Sequence, residues 1–203
     1  MTERENKLED PYYTREGDNG RTSFGEHGEM AKQDVRVAAY AECDEANASV
    51  SVAIALGGLS NEVSTTLISV QNDLFDALAD LMTPVNGESK SAVRIVEGHI
   101  ERLERAIEHF AQQAKDLSGM VLPGGTLSAA VLYQARGVVR RAERAVWQAV
   151  DAHPEAQNPL IGQYLNRLSS LLFVLARGAN AEHGDITWVP GASVRPVDPQ
   201  NPS

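Results

Sequence analysis

Apolar residues recur at steps of three or four along most of this chain, and that spacing places them on one face of a helix. The clearest stretch runs from Val93 to Leu117, with charged and amide side chains between the apolar positions, as in a helix of a bundle. No segment shows the alternation expected of a set of strands. The sequence therefore predicts an all-α fold, a five-helix bundle with helices over 34–56, 63–81, 93–117, 126–150 and 159–177.

Residues that stop or start helices separate these stretches. The segment 122–125, Leu-Pro-Gly-Gly, must interrupt the pattern, because proline lacks an amide donor and glycine carries a large helix penalty. Thr126 or Ser128 is the expected cap of the fourth helix, and Asn158 followed by Pro159 is a typical start of the fifth. We expect residues 34–180 to form the bundle domain.

The two ends of the chain lack this periodicity. Residues 1–33 are rich in glycine, charge and hydroxyl groups, which predicts an extended N-terminal arm that adds no core. Residues 181–203 turn to glycine, asparagine and proline, which is typical of a mobile C-terminal tail. The sequence therefore divides into an arm, a bundle and a tail.

Charge and composition exclude several classes of protein. The chain carries 18 Lys and Arg against 28 Asp and Glu, and the net charge of −10 excludes a basic nucleic-acid-binding protein. No run approaches the roughly 18 apolar residues of a membrane-spanning helix, and no signal peptide is visible. We therefore expect a cytoplasmic protein without membrane partners. Cys43, the single cysteine, is expected to be buried, and the five histidines fall in no metal-ligand spacing, so they are expected to be surface or incidental residues.

Three arginines of the fourth helix follow one another at steps of four. Arg136, Arg140 and Arg144 therefore share one face, with Tyr133 and Glu143 beside them. Such a row of guanidinium groups can bind a polyphosphate. From the pattern alone, a solvated face with Arg–Glu pairs is the more common structure.

The arm contains a second candidate binding segment, YTREGDNGRT over residues 13–22. Its glycines let backbone amides approach an anion, and its hydroxyl and charged groups could orient a nucleotide. The segment does not match the phosphate loop of P-loop proteins, so a disordered arm of turn residues is the simpler interpretation of this segment alone. Lys32, taken alone, is an ordinary surface lysine.

Polar residues also interrupt the apolar helices, as at Asp44 in the first helix and Asn166 in the fifth. Polar groups in such positions need partners. Either they satisfy one another across the bundle, which is the usual case, or they line a ligand site between helices.

Taken in order, these segments resemble the all-helical, PduO-type ATP:cob(I)alamin adenosyltransferases of cobalamin metabolism. The resemblance covers nearly the whole chain from Tyr13 to the segment 188–191. Its most specific parts are TRxGDxGxT in the arm and RRAER in the fourth helix. The matching segments are YTREGDNGRT (13–22), DVRVAAYAECDEAN (34–47), QNDLFDALADLMTP (71–84), HIERLERAI (99–107), LPGG (122–125), ARGVVRRAER (135–144) and YLNRLSSLLFVLAR (164–177).

The resemblance implies a ferritin-like five-helix bundle that assembles as a homotrimer, with an active site at each subunit interface. ATP would lie between the arm of one subunit and the fourth helix of its neighbour. Asp44 and Arg136 match a pair that, in the family, bridges two subunits beside the corrin ring, and with Arg140 they make up the implied catalytic set. The positions that match the family's ATP contacts are Thr14, Arg15, Glu16, Gly17, Thr22, Ser23, Lys32, Arg140, Arg141, Glu143, Arg144 and Asn166.

The family's reaction is attack of cob(I)alamin on the ribose C5′ of ATP, which releases triphosphate and forms a cobalt–carbon bond. The resemblance therefore implies ATP and cobalamin as substrates and Mg²⁺ bound mainly through the ATP phosphates. It also implies a flavin reductase that supplies the electron and a cobalamin-dependent enzyme that takes up the product.

Two positions depart from the family pattern on the cobalamin side. Met120 stands where the family has a bulky aromatic residue that expels the lower axial ligand of cobalt, and Ser170 stands where an aspartate is usual. We expect a working adenosyltransferase. The alternative is a catalytically weak protein of the same fold that binds ATP or cobalamin as a carrier or sensor. A purely structural bundle would leave the arm and RRAER motifs unexplained.

Overall fold

The computed structural model of the protein describes residues 13–87, 89, 92–114 and 119–194. Five α-helices account for most of this part of the chain, which confirms the predicted all-α bundle. A short antiparallel hairpin, which the sequence did not predict, precedes the helices. The elements are β1 (Arg21–Ser23), β2 (Glu29–Ala31), α1 (Val35–Leu56), α2 (Asn61–Leu81), α3 (Glu97–Ala111), α4 (Leu127–Ala152) and α5 (Pro159–Ala179).

Side-chain caps begin four of the helices. Asp34 and Ser60 accept backbone N–H groups at the starts of α1 and α2. Thr126 does the same for α4 and Asn158 for α5, as the sequence predicts. Ser128, the alternative cap of α4, instead donates its hydroxyl to a carbonyl at the end of α1. Each cap satisfies a donor that the helix itself leaves open, so these residues fix where the helices begin.

The third helix is shorter than the predicted range 93–117, because residues 92–96 are extended. The buried carboxylate of Asp80 accepts the backbone N–H of Ile95 at 2.9 Å and the guanidinium of Arg94 at 2.5 Å. These bonds fasten the segment to the end of α2 and satisfy its polar groups without a helix. The predicted start is therefore wrong. The predicted end is too late as well, because α3 ends at Ala111 and residues 112–114 are not helical; Leu117 itself lies outside the described residues.

α4 packs along both α1 and α5, while α3 packs on α5 and α2 packs on α1. A single apolar core runs between the helices. Cys43 is fully buried in it, as predicted, and burial raises the pKa of its thiol to about 12. None of the helices in the described part of the chain is long and apolar enough to cross a membrane. The largest fully buried side chains are Tyr164, Leu67, Leu74, Leu81, Ile95, Leu103, Leu132, Ile161, Leu165, Leu168, Leu171 and Leu172.

The hairpin contributes to the core, so the expectation that residues 1–33 add none is wrong. Phe24 is 3% exposed and Met30 is 6% exposed, and both belong to the buried cluster. The Phe24 ring meets the Tyr40 ring edge-on, with 5.7 Å between the centroids. Burying a large apolar side chain contributes about 2 kcal/mol, so these two residues can hold a largely polar segment on the bundle. Residues 1–12 lie outside the described part.

The described part of the predicted tail is bonded to the bundle. Asp185 accepts hydrogen bonds from Arg177 at 2.9 Å and from Asn180 at 3.1 Å. The backbone beyond it pairs with the turn before α4, with Val121 opposite Thr187. The mobility of the tail stays a prediction, and residues 195–203 lie outside the described part.

We expect Asp80→Ala to lower the free energy of unfolding by about 3 kcal/mol, because it leaves the Arg94 guanidinium without its carboxylate in a partly buried position. The same substitution removes one of the two acceptors of the Asn158 side-chain amide, which donates to Asp80 at 2.7 Å and to the Ile95 carbonyl at 2.9 Å. Urea denaturation followed by circular dichroism measures the change. The matched control is Asp151→Ala, which removes an exposed carboxylate near the end of α4 and should change little. Equal, small losses in both variants would contradict the structural role of Asp80.

Candidate functional site

The arm forms an open concavity of about 880 Å³ beside the hairpin, and we call it the arm concavity. Seven positions that match the family's ATP contacts line it together: Thr14, Arg15, Glu16, Gly17, Thr22, Ser23 and Lys32. Asp18, Asn19, Arg21 and Glu29 complete the lining, and the sequence analysis did not single them out. The first three lie inside the YTREGDNGRT segment, which was the available signal. No sequence signal pointed to Glu29, because it joins the concavity only through the pairing of β1 with β2.

Two residues that line the arm concavity, Arg15 and Gly17, have a backbone with positive φ. Arg15 has a φ of 66° and is the one non-glycine residue with a positive φ in the described part of the chain. Gly17 has a φ of 83°, and a Cβ at this position would lie 2.9 Å from the Arg21 carbonyl oxygen and 3.1 Å from Lys32 Nζ. The lysine ammonium therefore lies directly over the glycine. Strained residues of this kind cost about 1 kcal/mol or more and cluster at ligand sites.

The cations of the arm concavity differ in their partners. Arg21 forms an ion pair with Glu29 across the hairpin. Arg15 and Lys32 form no ion pair with any residue that the structure describes. Two unpaired cations at an open, glycine-lined surface suit an anionic ligand.

A second concavity, of about 520 Å³, lies on α4 and α5, and we call it the helix concavity. Its lining contains five more of the matching positions together with Gly137: Arg140, Arg141, Glu143, Arg144 and Asn166. Asn166 donates its side-chain amide to the Glu143 carboxylate at 3.1 Å, which joins α5 to α4 at this point. Neither Arg140 nor Arg144 has an acidic partner among the described residues.

Arg141 is arranged differently from its neighbours in the helix concavity. Its guanidinium donates to Glu42 at 2.6 Å and also to Glu45, both on α1. These two carboxylates raise the pKa of the Arg141 guanidinium above its usual value. Arg141 is not a member of the row Arg136, Arg140 and Arg144, so its pairs with Glu42 and Glu45 do not make the row a solvated face of Arg–Glu pairs. Arg140 and Arg144 themselves stay open to a polyphosphate.

Arg136 lies on the same helix in a drier environment. Its guanidinium carbon is 5.3 Å from the centroid of the Phe173 ring, and its Nε is buried without a hydrogen-bond partner. Burial and the neighbouring Arg140 lower the pKa of Arg136. Asp44, its implied partner, is exposed on α1 and forms no ion pair within the described part of the chain. Within one chain the two residues do not pair.

Met120 and Ser170, the two positions of the implied cobalamin side that depart from the family pattern, lie outside both concavities, as do Asp44 and Arg136. Met120 is 70% exposed on an extended segment, and its carbonyl accepts the backbone N–H of Trp188 at 2.7 Å. Ile186 and Leu122 are exposed on the same paired segments, so an apolar patch surrounds Met120. Ser170 is exposed on α5. Trp188, which is paired with Met120 through its backbone and is itself exposed, could not be linked to Met120 from the sequence, because the pairing of these segments is a tertiary contact.

One group of described residues has the composition of a metal site: Asp73, Asp76 and His99, whose ligand atoms lie within 4.8 Å of one another. Asp73 already accepts the Tyr164 hydroxyl at 2.8 Å and the Arg102 guanidinium. A guanidinium in contact with the carboxylate repels a second cation, so the group is explained as an ion-pair network between α2, α3 and α5. His99 lies 3.6 Å from Asp76 within this network, and the expectation that the histidines are surface or incidental residues stays a prediction.

The arm concavity and the helix concavity share no lining residue. One chain therefore presents two separate surfaces on a helical bundle, each with cations that have no acidic partner among the described residues. A fold and site of this kind define a protein that binds polyanionic ligands such as nucleotides.

The chain belongs to the cobalamin adenosyltransferase family, whose family model matches residues 12–179. It is 49% identical over 180 residues to a corrinoid adenosyltransferase of Mycobacterium tuberculosis. The alignment covers 88% of this chain and 93% of that protein. It is 33% identical over 175 residues to a corrinoid adenosyltransferase of Bacillus subtilis, and this alignment covers 85% of this chain and 88% of that protein.

Solved structures agree with the sequence relatives. A variant of the PduO-type ATP:corrinoid adenosyltransferase from Lactobacillus reuteri, complexed with cobalamin and ATP, matches with a TM-score of 0.78 at 34% identity. The match covers 87% of this chain and 98% of that chain. A second variant of that enzyme, complexed with ATP, gives a TM-score of 0.77 at 33% identity and covers 87% and 99%. The resemblance inferred from the sequence is confirmed.

Proposed function

We propose that this protein is a corrinoid adenosyltransferase that transfers the 5′-deoxyadenosyl group of ATP to cob(I)alamin and releases triphosphate. The observation that carries the proposal is the arm concavity, which gathers all seven arm positions that match the family's ATP contacts. Membership of the family and the names of its relatives support the same activity.

In the proposed reaction, the electron pair of the cobalt(I) substrate forms a bond to C5′ while the bond between C5′ and its phosphate oxygen breaks. Negative charge accumulates on the departing triphosphate, so cations held around it lower the barrier. We assign this role to Lys32 from the arm concavity and to Arg140 and Arg144 from the helix concavity. Their lack of acidic partners among the described residues supports the assignment, because no carboxylate has to be displaced first.

The remaining matching positions are assigned to holding the nucleotide. The hydroxyl groups of Thr14, Thr22 and Ser23 can bond phosphate or ribose oxygens, and the left-handed backbone at Arg15 and Gly17 opens amide donors toward an anion. Fixing ATP in this way keeps C5′ in line with the cobalt nucleophile, which lowers the entropic part of the barrier.

Mg²⁺ would be held mainly by phosphate oxygens. Glu16 lines the arm concavity and Glu143 lines the helix concavity, and carboxylate oxygens are ligands that Mg²⁺ accepts, so the residues present fit the ion. When bound, Mg²⁺ would offset part of the phosphate charge. In this scheme Asn166 and Arg141 hold α5 and α1 against the helix concavity and so fix its shape.

We propose the family's homotrimer, in which the arm concavity of one copy and the helix concavity of another together form one site. Exposed Asp44 and partner-free Arg136 Nε support this assembly, because a carboxylate from a neighbour would satisfy a buried donor that no described residue satisfies. The proposal includes a cytoplasmic location, a flavin reductase as electron donor and a cobalamin-dependent enzyme as recipient of the product.

The methionine at position 120 supports one alternative function, that of a carrier or sensor that binds ATP or cobalamin but catalyses the transfer only weakly. A flexible thioether fills apolar space without the rigid flat surface of an aromatic ring. Ser170 adds to this difference, since it replaces a carboxylate with a hydroxyl on the same side of the site.

We expect Gly17→Ala to raise the KM for ATP about tenfold or more, because the added Cβ meets the Arg21 carbonyl and Lys32 Nζ. The assay uses chemically reduced cob(I)alamin and measures adenosylcobalamin and triphosphate, which should form in equal amounts. Gly184→Ala is the matched control: its φ of 82° strains an alanine to a similar degree, a Cβ there meets nothing within 4 Å, and the residue lies outside both concavities.

Equal effects of the two alanine substitutions would contradict the assignment of Gly17 and Lys32 to the nucleotide. Tight binding of ATP and cob(I)alamin by the unaltered protein without any product would support the carrier instead.

We expect Met120→Phe to raise the four-coordinate fraction of bound cob(II)alamin and the rate of turnover coupled to a reductase. The reason is that an aromatic ring excludes the lower ligand better than a thioether does. The optical spectrum of cob(II)alamin with ATP reports the coordination, and the rate with chemically reduced cob(I)alamin is the control that bypasses this step. An unchanged spectrum and an unchanged coupled rate would show that residue 120 does not control the axial ligand.

A further inference from the structure

The tip of the hairpin is fastened to the end of α2. Residues 25–27 form a single turn of 3-10 helix between β1 and β2. The Glu26 backbone N–H donates to the Met82 carbonyl at 3.1 Å, and His27 Nε2 lies 3.2 Å from the Leu81 carbonyl oxygen. Gly25 has a φ of 53° and contacts Met82 so closely that a Cβ would collide with its carbonyl. The tip therefore lies directly against the bundle.

The imidazole of His27 is the side chain through which the tip reaches three other parts of the fold. Its ring stacks on Phe24 with 5.7 Å between centroids. Arg36 Nη1, on α1, lies 3.4 Å from Nδ1, and the Gln157 side-chain amide, on the loop before α5, lies 3.3 Å from Nε2. With the Leu81 contact, the ring connects the hairpin to α1, to α2 and to the loop between α4 and α5.

These partners determine the protonation state of the ring. Arg36 can only donate, so Nδ1 must accept, and the Leu81 carbonyl can only accept, so Nε2 must carry the hydrogen. The Gln157 oxygen is buried and has no other partner among the described residues, so it can turn to Nε2 as a second acceptor. The contacts fit one neutral tautomer of His27.

Protonation of the ring would break this arrangement. A hydrogen on Nδ1 would point at the Arg36 guanidinium, and the new charge would face Arg36 and His153. Asp34 is the carboxylate that opposes them, and it already accepts two hydrogen bonds from the Arg36 side chain, at 2.8 and 2.9 Å. Burial and Arg36 accordingly lower the pKa of His27 below its ordinary value of 6.5. Glu26, next to His27 in the chain, is exposed and forms no ion pair with a described residue.

The strands that leave the tip carry the nucleotide residues of the arm. Thr22 and Ser23 lie on β1, immediately before the tip, and Lys32 follows β2. A shift of the tip therefore moves both walls of the arm concavity. We propose that neutral His27 is the positioning residue of the arm, and that its protonation loosens the hairpin and weakens ATP binding, an inference that rests on the proposed nucleotide site.

The sign of the pH dependence follows from linkage. A histidine whose pKa is lowered in the fastened state takes up a proton when the hairpin is released, so the released form binds more protons. The stabilisation that His27 gives to the bound hairpin is fully present above pH 6.5 and decreases as the pH falls below that value. It decreases no further once the pH is below the pKa of His27 in the bound hairpin.

The experiment measures the dissociation constant of ATP at pH 7.5 and pH 5.5 for the unaltered protein, His27→Gln and His183→Gln. ATP titrates in this range in every sample, so the ratio of the two constants is compared between proteins. The ratio is the dissociation constant at pH 5.5 divided by that at pH 7.5. We expect this ratio to be about threefold larger for the unaltered protein than for His27→Gln, because glutamine does not titrate. His183→Gln removes an exposed histidine and should keep the ratio of the unaltered protein. Equal ratios in all three proteins would overturn the proposal.

A second measurement does not depend on ATP binding. Amide hydrogen exchange of residues 20–32 in the ATP-free protein, corrected for intrinsic rates, should show less protection at pH 5.5 than at pH 7.5, and His27→Gln should show no such difference. If ATP fails to bind at either pH, the proposed function fails while exchange still tests the hairpin. If exchange changes but the ATP ratio does not, the hairpin does not position the nucleotide and the proposal is wrong.

A third measurement needs no variant, in case His27→Gln does not fold. Linkage is reciprocal, so ATP must lower the pKa of His27 if protonation weakens ATP binding. Nuclear magnetic resonance follows the titration of the ring with and without ATP. A pKa that ATP leaves unchanged or raises would overturn the proposal.

Discussion

The packing of α4 between α1 and α5 fixes the position of the arginines on which the proposed chemistry depends. Its buried face contains small residues such as Ala135, Val139 and Ala142, so the neighbouring helices approach closely. The opposite face then has to present Arg140 and Arg144 to the outside. A chain with a net charge of −10 thereby keeps, at two concavities, cations that pair with no carboxylate in the part of the chain that the structure describes.

The helices could be predicted because their periodicity and caps are local signals. The hairpin could not, since strands of three residues show no readable alternation and their place in the core rests on Phe24 and Met30 alone. The start of α3 could not be predicted either. It depends on Asp80, which lies 15 residues before Ile95 in the sequence and accepts its backbone N–H. Local patterns contain no information on such a tertiary contact.

The candidate site also has features that could be predicted from the sequence and features that depend on tertiary contacts. The arm motif and the arginine row could be identified from the residues and their resemblance to the family, and the structure groups them as two concavities. The pairing of Arg141 with Glu42 and Glu45 could not, because it joins residues nearly a hundred positions apart through the packing of α1 on α4. The role inferred for His27 depends likewise on Arg36 and on carbonyl and amide groups from other parts of the fold.

The central claim is that a complete site takes the arm concavity from one copy and the helix concavity from another. Mixed assemblies of Lys32→Ala and Arg140→Ala chains test it most directly, with adenosylcobalamin formation as the readout. Each variant alone should be nearly inactive. A co-assembled equimolar mixture should recover about a quarter of the unaltered activity, because random neighbours pair an intact arm with an intact helix in that fraction of sites. A mixture that assembles but stays as inactive as its components would contradict the account.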